Sequence, residues 1–330
     1  MNGPPAPAYD RLVRYLITGG AGYIGSRFAS HLSGREDTEQ VVVADIREPR
    51  EHRPKTTFRM FDVRDRQAAK ALLAEEKPNC LIHLAFLVKP LHDEVTMYDV
   101  DVNGTQNLLE AAADAGTQHV LVTSSTTAYG AFPDNPLPLT EDDPVRGAPD
   151  FSYARDKADA DRLCQLWALQ HPERTMTIVR PCLVFGEEMD NYILDLWLKT
   201  PFRADFGLPD PPMQFVHVDD LADALIRLLD GRHPGAYNVA ADGYVTVAEA
   251  GDMIGLRPQR MPYNLYKRLA AVLWETYVSE VPPGQLEFMV HPWVASNRKL
   301  KDATGWSPRY TSRETFEVTM RAKGKLAAAA

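Results

Sequence analysis

The chain has 330 residues, with 36 lysines and arginines against 45 aspartates and glutamates and a formal net charge of −9. That length predicts one large domain carrying a smaller lobe, and the acidic balance argues against a nucleic-acid backbone or an anionic membrane surface as partner. No apolar run approaches the roughly 20 residues of a membrane span, and the three cysteines, Cys80, Cys164 and Cys182, lack metal-ligand spacing, so the reading is a reduced, cytoplasmic, metal-free protein.

In chain order, the Pro-rich residues 1–10 are expected to be a disordered tail. Val13–Thr18 is a short apolar run, and from Gly22 onward Ile24, Phe28, Ala29 and Leu32 recur at helical spacing. Val41–Asp45 reads as a second strand, Thr57–Val63 alternates as a third, Cys80–Leu87 is apolar again, and His119–Thr123 follows a helix that stops near Gly116. Helices are predicted over Arg66–Glu76 and Asn103–Ala115, and Thr175–Val179 closes a further unit. Strands that are apolar along their length and alternate with helices predict an α/β, doubly wound parallel sheet of the Rossmann kind over residues 11–180.

After Arg180 the rhythm breaks into Pro-rich pieces such as Leu208-Pro209-Asp210-Pro211-Pro212, isolated strands Gln214–Val218 and Ala236–Val239, and a helix Asp219–Leu229. A smaller substrate lobe, interleaved with the last strands of the sheet, is predicted over 181–322. The low-complexity ending 323–330 is expected to be a tail or an expression remnant.

The turn Gly19-Gly20-Ala21-Gly22-Tyr23-Ile24-Gly25 follows the first strand. In a doubly wound sheet that turn lies where phosphates meet the N–H groups of a helix start, and Gly19, Gly22 and Gly25 allow a tight turn and close approach to a pyrophosphate. Asp45 ends the second strand, where a carboxylate accepts both ribose hydroxyls of an adenine nucleotide and repels a 2′-phosphate, so NAD is favoured over NADP. Arg47 leaves some tolerance for that phosphate, and a turn cap is the alternative role for Asp45.

A nicotinamide enzyme acting on alcohols and ketones needs a proton donor and acceptor. Tyr153-Ala154-Arg155-Asp156-Lys157 places a phenol and an ammonium on one helix face, with Lys157 expected to lower the Tyr153 pKa. The same spacing at Tyr263 and Lys267 reads as an ordinary helix surface. The hydroxyls of Ser124, Ser125 and Thr126 follow a central strand, at the end that faces the ligand crevice. Asp219 or Asp220 reads as a helix N-cap, and His217 as structural.

These motifs together, with Asp62-Val63, His83-Leu84-Ala85, Asn103-Gly104-Thr105, SSTTAYG, Arg180-Pro181, HVDDLADAL and GWSP, resemble the extended short-chain dehydrogenase/reductases, the NAD-dependent epimerase/dehydratase family, from about Arg14 to Pro308. The resemblance implies that Ser125 hydrogen-bonds the reacting oxygen while Tyr153 exchanges its proton and Lys157 holds the nicotinamide ribose. It implies further NAD contacts at Tyr23, Ile24, Asp62, Val63, Leu84, Ala85, Asn103 and Pro181, with Thr126, Cys182 and Leu183 near the substrate.

The chain departs from the nucleotide-sugar members of that family. Met213 stands where they often carry an arginine, Leu183 replaces an asparagine, and LEFMVHPWVASN replaces an arginine-bearing loop. Thr126-Thr127 replaces the Asp-Glu pair of the sugar dehydratases. With Trp197, Phe202, Phe206 and Trp293 also available, the expected substrate is a less charged, partly apolar alcohol or ketone. The alternatives are a nucleotide-sugar 4-epimerase of the UDP-glucose type and a non-catalytic NAD-sensing regulator. Apolar faces on Val100–Ala115 and Ser152–Leu169 are what the family commonly uses for a homodimer seam.

Overall fold

The computed structural model describes residues 12–326; the expectation for residues 1–10 and the final residues 327–330 lies outside them. The order begins β1 (Val13–Thr18), α1 (Tyr23–Ser33), β2 (Thr38–Asp45), β3 (Thr56–Met60), α2 (Arg66–Glu76) and β4 (Cys80–His83). It continues through α3 (Glu94–Tyr98), a π-helical turn (Asp99–Asn103), α4 (Gly104–Ala115), β5 (His119–Thr123), a 3-10 turn (Thr126–Tyr129), α5 (Ser152–Gln170) and β6 (Thr175–Pro181). Then follow β7 (Leu183–Phe185), α6 (Tyr192–Leu198), β8 (Arg203–Asp205), β9 (Pro212–Met213), β10 (Phe215–His217), α7 (Val218–Asp230) and β11 (Gly235–Val239). The chain ends with β12 (Val245–Thr246), α8 (Val247–Met253), β13 (Pro258–Arg260), α9 (Tyr263–Glu275), a 3-10 segment (Pro283–Met289), α10 (Arg298–Thr304) and α11 (Ser312–Ala322).

Seven strands form one sheet in the order β11-β6-β5-β4-β1-β2-β3, and every neighbouring pair is parallel. Because side chains alternate across a strand, Val13, Tyr15, Ile17, Val41 and Val43 pack with Phe28 and Leu32 of α1 and Leu221, Leu225 and Leu228 of α7. Leu16, Val42 and Ala44 point the other way, against Leu72 and Leu73 of α2, Leu108 of α4 and Trp167 of α5. A sheet apolar on both faces requires helices on both, which is why the runs read in sequence are continuous rather than alternating.

The direction of travel through the sheet reverses between β1 and β4, so a crevice opens at their carboxyl ends. Both the glycine turn after Thr18 and the Leu84–Ala85 backbone after His83 stand at that crevice, with Thr18 paired to His83 in the ladder.

Residues beyond β6 build three two-stranded ribbons, β7 with β10, β9 with β12 and β8 with β13. The first two gather around Phe185, Phe215 and Phe316, whose rings lie 4.7 to 6.2 Å apart. The chain re-enters the large sheet only with β11, alongside β6. The expected tail at 323–330 is partly structured: Leu326 packs against this second cluster.

Two local expectations change. Neither Asp219 nor Asp220 caps α7; the His217 ring accepts from the Asp219 N–H at 3.2 Å. Asp219 instead takes Arg27 at 2.5 and 3.1 Å, and buried Asp220 receives the Arg309 and Tyr310 N–H groups and the Arg309 guanidinium. Basic partners on other elements redirect both carboxylates away from the cap. The third strand also stops at Met60, and Phe61 and Val63 enter the core from the loop that follows.

Candidate active site

Gly22 stands at the N-cap of α1 and offers no side-chain cap, so the first N–H groups of that helix are left to a ligand. Gly19 adopts φ +71°, and a Cβ there would lie 2.6 Å from the Ala85 nitrogen. A Cβ on Gly25 would lie 2.2 Å from the Gly19 carbonyl oxygen. The turn is therefore a bare backbone cradle at a positive helix end, and its fit is to a diphosphate. Asp45, nearly buried at the end of β2, accepts from the Ala21 and Arg47 N–H groups at 3.1 Å each, which ties it to the same turn.

A cavity of about 520 Å³ runs from this turn into the C-terminal part of the chain. Gly19, Gly22, Tyr23, Ile24, Gly25, Leu84, Ser125, Tyr153, Lys157, Pro181, Cys182 and Leu183 all stand in its wall. Trp197, Phe202 and Trp293 are there too, whereas Phe206 lines a separate cleft with Leu208 and Pro209.

Other expected residues sit elsewhere. The Ala85 backbone packs behind Gly19, Asp62 is held by the Arg64 guanidinium at 2.6 Å, Val63 is buried beneath Gly104, and the Asn103 amide donates to Asp99 at 3.0 Å. Thr126 differs most from expectation. Ser125 caps the 3-10 turn, which rotates Thr126 into the core, fully buried, and returns Thr127 to the cavity wall.

Tyr153 lies in the first turn of α5 and Lys157 one turn on, so one helix face presents both. The Ser125 hydroxyl donates to Thr127 Oγ1 at 3.0 Å and accepts from the Thr127 N–H at 3.1 Å. The Lys157 ammonium donates to the Thr123 carbonyl at 2.8 Å and sits over the Phe86 ring, 3.0 Å from its centre. The ammonium is 6.0 Å from the Tyr153 ring. Burial pushes the Tyr153 phenol well above its ordinary value, the Ser125 hydroxyl draws it down and the Asp101 carboxylate pushes it up. The expected lowering by Lys157 does not appear: burial dominates, and the ammonium is turned toward a strand-end carbonyl and an aromatic face.

Sequence reasoning missed Asp101. It is wholly buried, takes the Leu87 N–H on Oδ1 at 2.8 Å and leaves Oδ2 buried without a partner. Burial pulls Lys157 below its ordinary value and Asp101 holds it up; burial raises Asp101 and Lys157 draws it down. A usable signal was present, since Asp101, Thr105, Leu108 and Ala112 follow one helical stripe and place an acid on a buried face. Phe86 was missed as well. The second Tyr-x-x-x-Lys pair behaves as a surface: Tyr263 and Lys267 both donate to Glu287, at 2.8 and 2.5 Å.

A comparison with protein families matches residues 15–240 to the model described as the NAD dependent epimerase/dehydratase family. The chain belongs to this family. Among its relatives, a UDP-glucose 4-epimerase from Rhizobium meliloti is 28% identical over 324 residues, covering 89% of this chain and 92% of the relative. The low-salt glycan biosynthesis protein Agl12 of Haloferax volcanii is 33% identical over 244 residues, 68% of this chain and 76% of its own length. The crystal structure of a Thermus thermophilus UDP-glucose 4-epimerase in complex with NAD superposes with a TM-score of 0.72 at 26% identity, covering 94% of this chain and 98% of that one. The chain is accordingly an enzyme of an NAD-dependent epimerase/dehydratase family with a Rossmann-like sheet.

Proposed function

We propose that this epimerase/dehydratase-family enzyme interconverts a secondary alcohol and a ketone with NAD(H), Tyr153 exchanging the proton. The observation that carries this reading is the pairing of Tyr153 and Lys157 on one face of α5, in the wall of the cavity that begins at the glycine turn. Gly19, Gly22 and Gly25 hold the cofactor diphosphate against the start of α1, with Asp45 toward its adenine ribose. When bound, NAD(H) takes or gives the hydride.

In oxidation the Tyr153 phenolate takes the hydroxyl proton while the C–H electron pair departs as hydride and the C=O bond forms; reduction reverses both transfers. Ser125 holds the substrate oxygen beside the phenol, and Lys157, anchored on the Thr123 carbonyl, keeps a positive charge near it. Burial supports a protonated Tyr153 as the resting state, poised as the acid for ketone reduction.

The test is Tyr153→Phe. Turnover should fall by about a hundred- to ten-thousandfold with cofactor affinity retained; a variant that keeps most of its activity would remove Tyr153 from the reaction. A 4-epimerase acting on a nucleotide sugar is the second reading, favoured by the Rhizobium relative's near full-length match. Conversion of UDP-galactose to UDP-glucose by the purified protein would establish it. Leu166 and Leu169 on α5 and Val95 on α3 are exposed, which supports a homodimer paired through this side.

A further inference from the structure

Beyond Tyr153 the cavity wall changes character. Its far part comes from β7, α6, β9, α9 and the 283–293 segment, with Leu183, Leu196, Trp197, Met213, Phe288 and Trp293 facing inward. Among the described wall residues only Lys157 and Arg203 carry a charge, and both are engaged. Lys157 is at the reacting end, on the Thr123 carbonyl. Arg203 donates to Asp252 at 3.1 Å. Away from a bare helix start such as that of α1, a buried diphosphate needs paired cations for its roughly two negative charges, and beyond Lys157 the described wall offers only Arg203, already paired with Asp252. It holds no carboxylate either, so an ammonium substrate has no partner among these residues.

Several polar side chains of the far wall already spend an oxygen within the protein, leaving the Tyr266 hydroxyl and the Asn191 and Gln285 amide N–H groups as its polar points. Asn191 accepts from the Leu194 N–H, Thr200 donates to the Leu196 carbonyl, Gln285 accepts from Tyr192 and Ser279 accepts from the Val281 N–H. The Trp293 indole N–H is likewise committed to the Phe288 carbonyl at 3.1 Å. A polyhydroxylated sugar would surrender its water hydrogen bonds here for few replacements.

Helix α9 completes the enclosure with Tyr266, Leu269, Ala270 and Leu273, spaced i, i+3, i+4 and i+7, turned to the cavity. The adjoining outer flank of the helix carries exposed Leu265 and Val272, and Leu269, between flank and cavity, is itself half exposed.

Resting on the oxidoreductase reading above, we infer that the substrate is a neutral, largely hydrocarbon secondary alcohol or ketone, its carbinol or carbonyl carbon at Tyr153 and its apolar body lying under α9. A nucleotide diphosphate sugar does not suit this wall.

Calorimetric titration of straight-chain methyl ketones of increasing length into protein saturated with NAD+ tests this directly, because ketone and oxidised cofactor cannot react. The dissociation constant should fall about three- to fourfold per added methylene, and UDP-glucose should give no binding. Leu273→Asp should weaken the longest ketone about tenfold or more, whereas Leu265→Asp on the outer side should leave it unchanged. Affinity that does not change along the series, binding of UDP-glucose, or sensitivity to Leu265→Asp in place of Leu273→Asp would each overturn the inference.

The same ketones offered with NADH separate the two proposals. Tight, length-dependent binding without Tyr153-dependent reduction would sink the oxidoreductase reading while upholding this substrate class. Tyr153-dependent turnover of a nucleotide sugar would do the reverse.

Discussion

Arg180→Met should be the most damaging single change beneath the active site. The Arg180 guanidinium is 2% exposed, donates to Asp161 at 2.8 and 2.9 Å, and reaches the Tyr129 hydroxyl at 2.8 Å, which in turn bonds Asn238. This chain of bonds joins β6, α5, the 3-10 turn and β11 one helical turn beyond Lys157. Removing the cation leaves a buried carboxylate with two neutral donors, the Gln165 amide at 2.7 Å and the Ser124 hydroxyl. Breaking such a pair costs about 3–5 kcal/mol. With an unfolding entropy of about 2.1 cal/mol/K per residue, that corresponds to a melting temperature lower by about 4–7 °C.

Urea denaturation gives the loss directly, and the double variant Arg180→Met/Asp161→Leu should recover most of it, since two apolar side chains leave no charge unpaired. The pH dependence carries a sign. Burial would raise the Asp161 carboxyl, but Arg180 outweighs it and holds the group below its ordinary value, so the wild type keeps this contribution above the unfolded pKa and loses it as pH falls through the folded one. In Arg180→Met burial, the largest influence, outweighs the remaining Gln165 and Ser124 bonds, so Asp161 takes a proton more readily when folded and the deficit against wild type should shrink as pH is lowered from 7 toward 4. A deficit that grows on acidification, or a double variant as unstable as the single one, would refute the reasoning.

Further outcomes follow from the rest of the structure. Gly25→Ala would drive a methyl to within 2.2 Å of the Gly19 carbonyl, so NAD affinity should drop about tenfold or more. Gly116→Ala, with nothing within 4 Å but φ +76°, should cost about 1 kcal/mol of stability and leave NAD affinity alone; fluorescence titration with NADH and urea melts distinguish the two. In Asp101→Asn, Lys157 loses the charge that holds it up against burial, so it should deprotonate at lower pH and the alkaline fall of kcat/KM for reduction should move to lower pH; an unmoved limb would deny the coupling. With Tyr153 held protonated by burial, kcat/KM for oxidation should rise with pH while that for reduction stays level before falling, and the opposite pair of slopes would remove Tyr153 as the acid and base.

The sheet was legible because its signal is local. Val41–Asp45 and Cys80–His83 are apolar along their length, and Asp65 and Gly116 mark a helix start and stop through their own side chain and backbone. The glycine turn and the Tyr153–Lys157 pair were legible for the same reason, since each lies within a few residues of chain. What depends on distant partners was not. His217 caps α7 because Arg27 and Arg309 draw Asp219 and Asp220 away, and no spacing within HVDD reveals that. Thr126 turns inward because Ser125 caps a short 3-10 turn. The Lys157 ammonium turns toward Thr123 and Phe86, residues 34 and 71 positions back in the chain, so the electrostatics of Tyr153 could not be read from the YARDK segment alone.

The central claim is that Tyr153 transfers the proton beside a bound NAD(H). Stopped-flow absorbance of bound NADH, mixed with a reducible ketone for wild type and Tyr153→Phe at equal cofactor occupancy, tests it most directly. The account predicts rapid loss of the NADH signal in the wild type and a rate lower by about a hundredfold or more in the variant with unchanged NADH affinity. Equal rates in both proteins, or no NADH bound to either, would contradict it.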